Sequence, residues 1–154
     1  MKIQSILLPT DFSECANYAL SYATDLARQF KASIICVSVV EPVVPTVGYT
    51  GIAEPLPMTD ISEQLEDSAT QELPKIAECE ECNGLDIEEV IAHGDAAAEI
   101  VRVARERNVD LIVLASHGRT GWGRILFGST AEAVVRHATC PVLVVKPPPE
   151  EEDS

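Results

Sequence analysis

The fold of this chain is decided by the stretch Leu111-Ile-Val-Leu-Ala-Ser-His-Gly-Arg-Thr-Gly-Trp-Gly-Arg-Ile-Leu-Phe-Gly-Ser-Thr130. Its first five residues are apolar and typical of a buried strand, and residues 131–138, which follow it, are typical of a helix. A glycine-rich turn between a parallel strand and a helix N-terminus lets backbone N–H groups approach an anion closely. Arg119 and Arg124 add positive charge to the same turn. The stretch therefore predicts a strand–loop–helix unit that holds phosphate.

The length and composition of the chain are those of one globular domain. It has 154 residues, of which 46% are hydrophobic, enough to bury a core and too many for a disordered chain. No apolar run approaches the length of a membrane span, and the apolar stretch near Met1 is too short for a signal peptide. We therefore expect a cytoplasmic protein without membrane insertion. Residues 1–146 are expected to form a single domain, and the Pro-rich, acidic residues 147–154 a disordered tail.

The charge of the chain is unevenly distributed. The formal net charge is -14, which argues against nucleic acid or an anionic membrane as a main partner. Residues 100–147 nevertheless carry seven Lys or Arg against three Asp or Glu, whereas the remainder carries four against twenty-two. The basic part of an acidic protein thus coincides with the glycine-rich loop, which favours a phosphate ligand there over simple compensation of helix dipoles.

Five cysteines include the motif Cys79-Glu-Glu-Cys82. An odd number of cysteines in a cytosolic chain indicates free thiols, and no second pair completes a zinc site. The neighbouring glutamates should raise the thiol pKa values rather than activate a thiolate. We interpret the motif as a structural or incidental pair rather than a redox centre.

Apolar runs and helical periodicities alternate along the chain. Most of the predicted strands are apolar throughout, which is typical of a parallel sheet covered on both faces and hence of a doubly wound α/β fold. Strands are predicted over 3–8, 33–40, 87–92, 111–116 and 142–145, and helices from 11 or 13 to 30, from 61 to about 81, over 96–107 with Asp95 as cap, and over 131–138. Residues 41–60 contain four prolines and are predicted to be irregular.

Ligands of such sheets bind beyond the carboxyl ends of the strands, where the strand order reverses. Two segments compete for that place, Pro9-Thr10-Asp11 after the first strand and the glycine-rich loop after the fourth. The loop lacks G-x-x-x-x-G-K-[ST], and G-x-G-x-x-G is missing after the first strand. The loop instead has the pattern small-x-x-Gly, followed by nine residues and then Gly-Ser. The named positions of this pattern are Ala115, Gly118, Gly128 and Ser129.

This pattern resembles the nucleotide-binding members of the universal stress protein family, in which a glycine stands where this chain has Ala115. The resemblance covers nearly the whole chain, through Leu8-Pro-Thr-Asp-Phe-Ser13, Val90-Ile-Ala-His-Gly-Asp95, Asp110-Leu-Ile-Val-Leu-Ala-Ser-His-Gly-Arg-Thr-Gly121, Leu126-Phe-Gly-Ser129 and Cys140-Pro-Val-Leu-Val-Val-Lys146. It implies a Rossmann-like fold, similar to adenine nucleotide alpha hydrolases, with a five-stranded parallel sheet in the order 3-2-1-4-5. Alanine is small, and a strand-end residue needs no positive φ, so we expect binding to survive the departure at Ala115.

The resemblance also implies a role for each site residue. The adenosine end is lined by Pro9, Thr10, Asp11 and Val39, with Val39 packing on adenine and Asp11 accepting from ribose or approaching a metal ion indirectly. The ribose and first phosphate are followed by Ala115, Ser116, His117 and Gly118. The triphosphate is cradled by Arg119, Thr120, Gly121, Gly128, Ser129 and Thr130. The N–H groups of Ser129, Thr130 and Ala131 agree with this, because N–H groups at a helix start have no partner within the helix.

Structural roles compete with these assignments at three positions. Ser129-x-x-Glu132 matches a capping box, so Ser129 can cap the last helix and still leave its N–H for phosphate. Asp11 can serve as the N-cap of the first helix. His117 is placed beside no carboxylate or nucleophile by the sequence, and we interpret it as structural rather than as a general base.

The functional hypothesis is a regulatory protein that binds ATP with Mg²⁺ and acts on an unidentified protein partner. No catalytic residues are predicted. A nucleotide site without a dedicated base would hydrolyse ATP slowly at most. One alternative is a protein–protein regulator of the same fold that binds no nucleotide, and another is an enzyme that uses an adenylate. The basic loop and the small residues at 115, 118 and 128 favour nucleotide binding.

The last strand predicts an oligomer. Val142-Leu-Val-Val145 would be an apolar edge strand, which is hazardous unless it is paired. The family resemblance implies that this strand pairs antiparallel with its copy across a two-fold axis, forming a homodimer, and higher oligomers are compatible with it. The prolines at 147–149 would end the pairing.

Overall fold

The computed structural model describes residues 1–43, 58–117 and 127–148. In these residues strands and helices alternate along the chain. The elements are β1 (Ser5–Pro9), α1 (Glu14–Phe30), β2 (Ser33–Val40), α2 (Met58–Ala77), a short 3-10 turn (Glu80–Cys82), β3 (Ile87–His93), α3 (Ala96–Glu106), β4 (Leu111–Ala115), α4 (Ser129–His137) and β5 (Val142–Val145).

The strands form one parallel sheet in the order β3-β2-β1-β4-β5. The predicted doubly wound fold and its strand order are confirmed. The chain runs outward from the central strand β1 through β2 to β3, and then crosses to β4 on the other side of β1. The strand order therefore reverses between β1 and β4, and the carboxyl ends of these two strands mark the switch point.

Alternate residues of the strands supply two cores, one on each face of the sheet. Ile6 and Leu8 point toward α1 and α2, whereas Leu7 points toward α3 and α4. The face of α1 that meets the sheet carries alanines, so the helix backbone can approach the strands closely. These alanines are all buried: Ala16, Ala19, Ala23 and Ala27.

The helix boundaries correct two predictions. The N-cap of α1 is Ser13, whose side chain accepts a hydrogen bond from Ala16 N at 3.2 Å, so the alternative of Asp11 as cap is wrong. The second helix begins at Met58, three residues earlier than predicted, because Pro57 is the last proline before it. It ends at Ala77, and the turn at Glu80–Cys82 replaces its predicted last residues.

The predicted cap of α3 is confirmed and can be tested. Asp95 Oδ2 accepts a hydrogen bond from Ala98 N at 2.9 Å. Replacing Asp95 by alanine is expected to lower the free energy of unfolding by about 1 kcal/mol, because an N–H group and the helix dipole lose their partner. Chemical denaturation measures the change. The matched control is Asp25→Ala on the exposed side of α1, which should cost nothing, and equal losses in both variants would contradict the capping role.

Several predictions fall on residues that the structure does not describe. Residues 44–57 of the segment predicted to be irregular are outside the described part of the chain. The same holds for residues 118–126 of the glycine-rich loop and residues 149–154 of the tail. In the described part, none of the helices has both the length and the apolar character needed to cross a bilayer.

Candidate functional site

A cleft of about 670 Å³ opens at the carboxyl ends of β1, β2 and β4. It lies where the strand order reverses, as predicted, and most of the predicted site residues that the structure describes meet in it. Those lining it are Pro9, Asp11, Val39, Ala115, Ser116, His117, Gly128, Ser129, Thr130 and Ala131. The predicted residues Gly118, Arg119, Thr120 and Gly121 lie outside the described residues.

The chain leaves β1 through a tight turn that two side chains hold. Thr10 Oγ1 accepts a hydrogen bond from Phe12 N at 3.1 Å, and Asp11 Oδ1 accepts one from Ser13 N at 3.0 Å. These bonds stabilise Phe12 at φ 64, a left-handed conformation that costs a non-glycine residue about 1–2 kcal/mol. The turn directs Asp11 and Phe12 into the cleft. Thr10 is buried and does not line the cleft, because its hydroxyl serves the turn.

The opposite wall is built where β4, β5 and α4 meet. Ser116 is 1% exposed; its N–H donates to Val145 O at 2.9 Å, and its carbonyl accepts from Gly128 N at 2.7 Å. A Cβ on Gly128 would lie 3.2 Å from Ser116 O and 3.7 Å from His117 Cα. Position 128 thus needs glycine because two backbone segments approach closely there, not because of its φ of -68.

The first turn of α4 presents three backbone donors to the cleft. Gly128 is the N-cap and has no side chain to satisfy the N–H groups of Ser129, Thr130 and Ala131, and these find no acceptor among the described residues. Donors without an acceptor in the described part of the chain, together with the helix dipole, favour an anion. The predicted capping box is wrong, because the cap lies one residue earlier and Glu132 pairs instead with Arg136 at 2.8 Å.

The structure places a serine hydroxyl beside His117, which the sequence did not indicate. Its Nδ1 lies 2.9 Å from Ser116 Oγ, so the ring is held to the residue before it in the chain. Near the same end of the cleft, Lys146 Nζ lies 5.7 Å from the centre of the Phe127 ring, and Phe127 lines the cleft. The Lys146 ammonium thus lies over the ring of the residue that precedes Gly128, the N-cap of α4.

Apart from Val39, sequence reasoning missed the wall formed by the carboxyl end of β2 and the amino end of α3. Glu41 Oε1 accepts a hydrogen bond from Ala96 N at 3.1 Å and ties the two elements together. Parallel strands share one carboxyl edge, so the residues after β2 could have been found by the rule that found Asp11. No sequence signal could have placed Leu65, Ser68 and Ala69 of α2 at the cleft, because their position depends on how the preceding segment runs.

Metal-binding chemistry is weak in this part of the chain. Within residues 1–43, 58–117 and 127–148, no group of three or more His, Cys, Asp or Glu side chains could hold a metal ion. The cleft carries two described carboxylates, Asp11 and Glu41, on different elements. Both accept backbone hydrogen bonds, Asp11 from Ser13 N and Glu41 from Ala96 N.

Comparison with known proteins gives the family. A model of the universal stress protein family matches residues 2–146. The chain belongs to the universal stress protein family. Universal stress protein MJ0531 of Methanocaldococcus jannaschii is 38% identical over 148 residues, which are 96% of this chain and 85% of that protein.

Solved structures agree with this assignment. The structure of protein MJ0577, from the same organism, is similar with a TM-score of 0.81 and 29% identity, covering 97% of this chain and 100% of that one. The universal stress protein of Archaeoglobus fulgidus in complex with dAMP has a TM-score of 0.62 and 24% identity, covering 95% and 100% of the two chains. At that identity the likeness is one of fold.

One feature of this universal stress protein departs from the family pattern, the alanine at 115. Ala115 ends β4, pairs with Val145 and lines the cleft. Its φ is not positive, so the backbone there makes no demand for glycine. That nucleotide binding survives this departure stays a prediction.

Proposed function

We propose that this universal stress protein is a cytoplasmic regulator that binds ATP with Mg²⁺ and acts on a protein partner. The observation that carries the proposal is the first turn of α4, where three N–H donors without a described acceptor face a cleft at the switch point of the sheet. A polyphosphate is the ligand class that such a helix start favours. The dAMP complex of the same fold supports an adenine nucleotide as the form of that ligand.

The two ends of the cleft would divide the nucleotide between them. The apolar side of Val39 and the turn at Pro9 and Asp11 would take the adenosine, and Gly128 to Ala131 would take the phosphates. The undescribed residues Gly118, Arg119, Thr120 and Gly121 remain proposed members of the phosphate end. The Mg²⁺ ion would be held mainly by the phosphates and by water, with Asp11 in indirect contact at most, because Mg²⁺ keeps several waters and the two described carboxylates of the cleft already accept hydrogen bonds.

We favour regulation over phosphoryl transfer because the titratable side chains that line the described cleft are already engaged in hydrogen bonds. A phosphoryl-transfer enzyme needs a positioned base for its nucleophile and dense charge compensation around the transferred group. His117 Nδ1 is held by Ser116 Oγ, and Glu41 is held by Ala96 N. We therefore expect bound ATP to be hydrolysed slowly at most and to act by its presence or absence.

Nucleotide content tests the proposal directly. The purified protein is denatured and its supernatant chromatographed for nucleotide, and the emptied, refolded protein is titrated with ATP and Mg²⁺ by calorimetry. We expect an adenine nucleotide to be released, or ATP to bind with heat. If neither is found, the protein is better described as a regulator of the same fold that works without nucleotide.

We also propose a homodimer formed by β5. This strand is the edge of the sheet next to β4, and its first three residues, 142–144, are half-buried apolar side chains. An unpaired apolar edge is an aggregation site, and a copy of the same strand is the simplest cover for it. Higher oligomers would need further surfaces.

A further inference from the structure

The Cys79-Glu-Glu-Cys82 motif is not used by the nucleotide cleft, and the structure brings its two thiols into contact. Cys79 Sγ and Cys82 Sγ lie 3.1 Å apart. A disulfide bond is about 2.05 Å long, so the sulfurs need to move together by only about 1 Å. We propose that Cys79 and Cys82 form a modification site, an intramolecular disulfide made by exchange with a low-molecular-weight disulfide.

The backbone around the pair already has the required turn. Cys82 N donates to Cys79 O at 2.9 Å, closing the 3-10 turn between the two residues. The turn is fixed from α1, where Arg28 donates to the carbonyl of Glu81 and Ser21 Oγ donates to Glu81 Oε2 at 3.0 Å. Preorganisation of this kind reduces the entropy lost when the bond forms.

The two thiols differ in exposure, and the more exposed one is expected to react first. Cys79 is half-buried and open to a reagent, whereas Cys82 is 3% exposed and is not. Cys79 as thiolate attacks one sulfur of the reagent disulfide; the reagent S–S bond breaks, and one reagent thiol leaves with a proton. Cys82 then loses its proton and attacks the Cys79 sulfur, which releases the second reagent thiol. Two protein thiols are oxidised and one reagent disulfide is reduced to two thiols.

The environment makes the reaction slow but favours its product. Burial, and then the contact with the Cys79 thiol, raises the pKa of Cys82 to about 12. Burial, rather than the neighbouring glutamates predicted from the sequence, is the main cause of this shift, and Glu81 contributes least. In a strongly oxidising C-x-x-C protein, a stabilised thiolate lowers the free energy of the reduced form, and this stabilisation is lost on oxidation. A pair without such a thiolate loses less stabilisation when the disulfide forms. The site therefore responds to sustained oxidising conditions rather than catalysing exchange.

The flanking charge selects the reagent. Glu78, Glu80 and Glu81 flank the pair along the chain and are exposed. With Arg28 as the cation bound to this turn, the net charge is negative, which disfavours an anionic disulfide such as glutathione disulfide. Cystamine, a small dicationic disulfide, is attracted to the same surface and is the probe used in the test.

The experiment counts thiols in the full chain. The reduced protein is incubated with excess cystamine, quenched with acid, unfolded and alkylated, and the blocked cysteines are mapped by mass spectrometry. We expect two of the five thiols to disappear as one link between Cys79 and Cys82, with dithiothreitol restoring all five. The matched control Cys140→Ser should lose the same two thiols, whereas Cys79→Ser should lose none as an internal link. Five thiols left free, a persistent mixed disulfide on Cys79, or a link between other cysteines would each overturn the proposal.

Discussion

Replacing Gly128 by valine is expected to abolish nucleotide binding while leaving the protein folded. A Cβ at this position would already lie 3.2 Å from Ser116 O, and the two methyl groups of valine extend further into the same contact. The start of α4 must then move away from the end of β4, and the N–H groups of Ser129 and Thr130 move with it. Losing two hydrogen bonds to a charged phosphate, at about 1.5–3 kcal/mol each, corresponds to a rise in Kd of at least about 100-fold.

The control for this prediction is Gly84→Val, in the turn before β3. Gly84 has a φ of 79, so a side chain strains the backbone there, but a Cβ meets no atom within 4 Å and the position lies away from the cleft. Both variants should unfold at a lower temperature than the parent, and calorimetry with ATP should show a binding defect in the Gly128 variant alone. Unchanged affinity in Gly128→Val would show that the phosphates bind elsewhere.

The fold could be predicted from the sequence because its signals are local and mutually consistent. The strands β1, β2 and β4 are apolar on both faces, which only a sheet covered by helices on both sides can accommodate. Asp95 lies where an N-cap must lie, directly before an amphipathic helix. The strand order required more than local signals, and it came from the family motifs spread over the whole chain.

The site could be predicted only in part, because the sequence does not record which polar groups are already engaged. Thr10 has a residue type and place suited to ligand binding, but its hydroxyl is used by the turn at Phe12. Ser129-x-x-Glu132 matches a capping box, yet Gly128 takes the cap position because its backbone N–H bonds to Ser116 O. The first outcome depends on a backbone conformation, and the second on a contact between two separate segments. Residue type alone predicts neither of them.

Replacing Val144 of the edge strand by proline is expected to convert the proposed dimer to a monomer. The carbonyls of Pro141 and Val145 accept from Ile112 N and Ser116 N of the β4 side, so the backbone groups of the alternate residues Val142 and Val144 point to the open edge. Proline at 144 removes an outward N–H without removing a bond to β4. Across a two-fold axis two donors are lost, at about 1 kcal/mol each, which raises the dimer Kd by about 30-fold or more.

The matched control is Val144→Thr, which keeps the N–H, the β-branched shape and nearly the same volume. Both variants remove apolar contact of Val144 with the core on the α4 face, so a loss of packing alone should affect them alike. Sedimentation at micromolar concentration should find Val144→Thr dimeric and Val144→Pro monomeric, with the same helical content by circular dichroism.

If the proline variant stays dimeric, β5 is not the interface; if the parent is itself a monomer, the edge is protected within one chain. Because β5 also anchors Ser116 through Val145, nucleotide binding measured on the monomer separates the two roles of this strand, and we expect binding to persist.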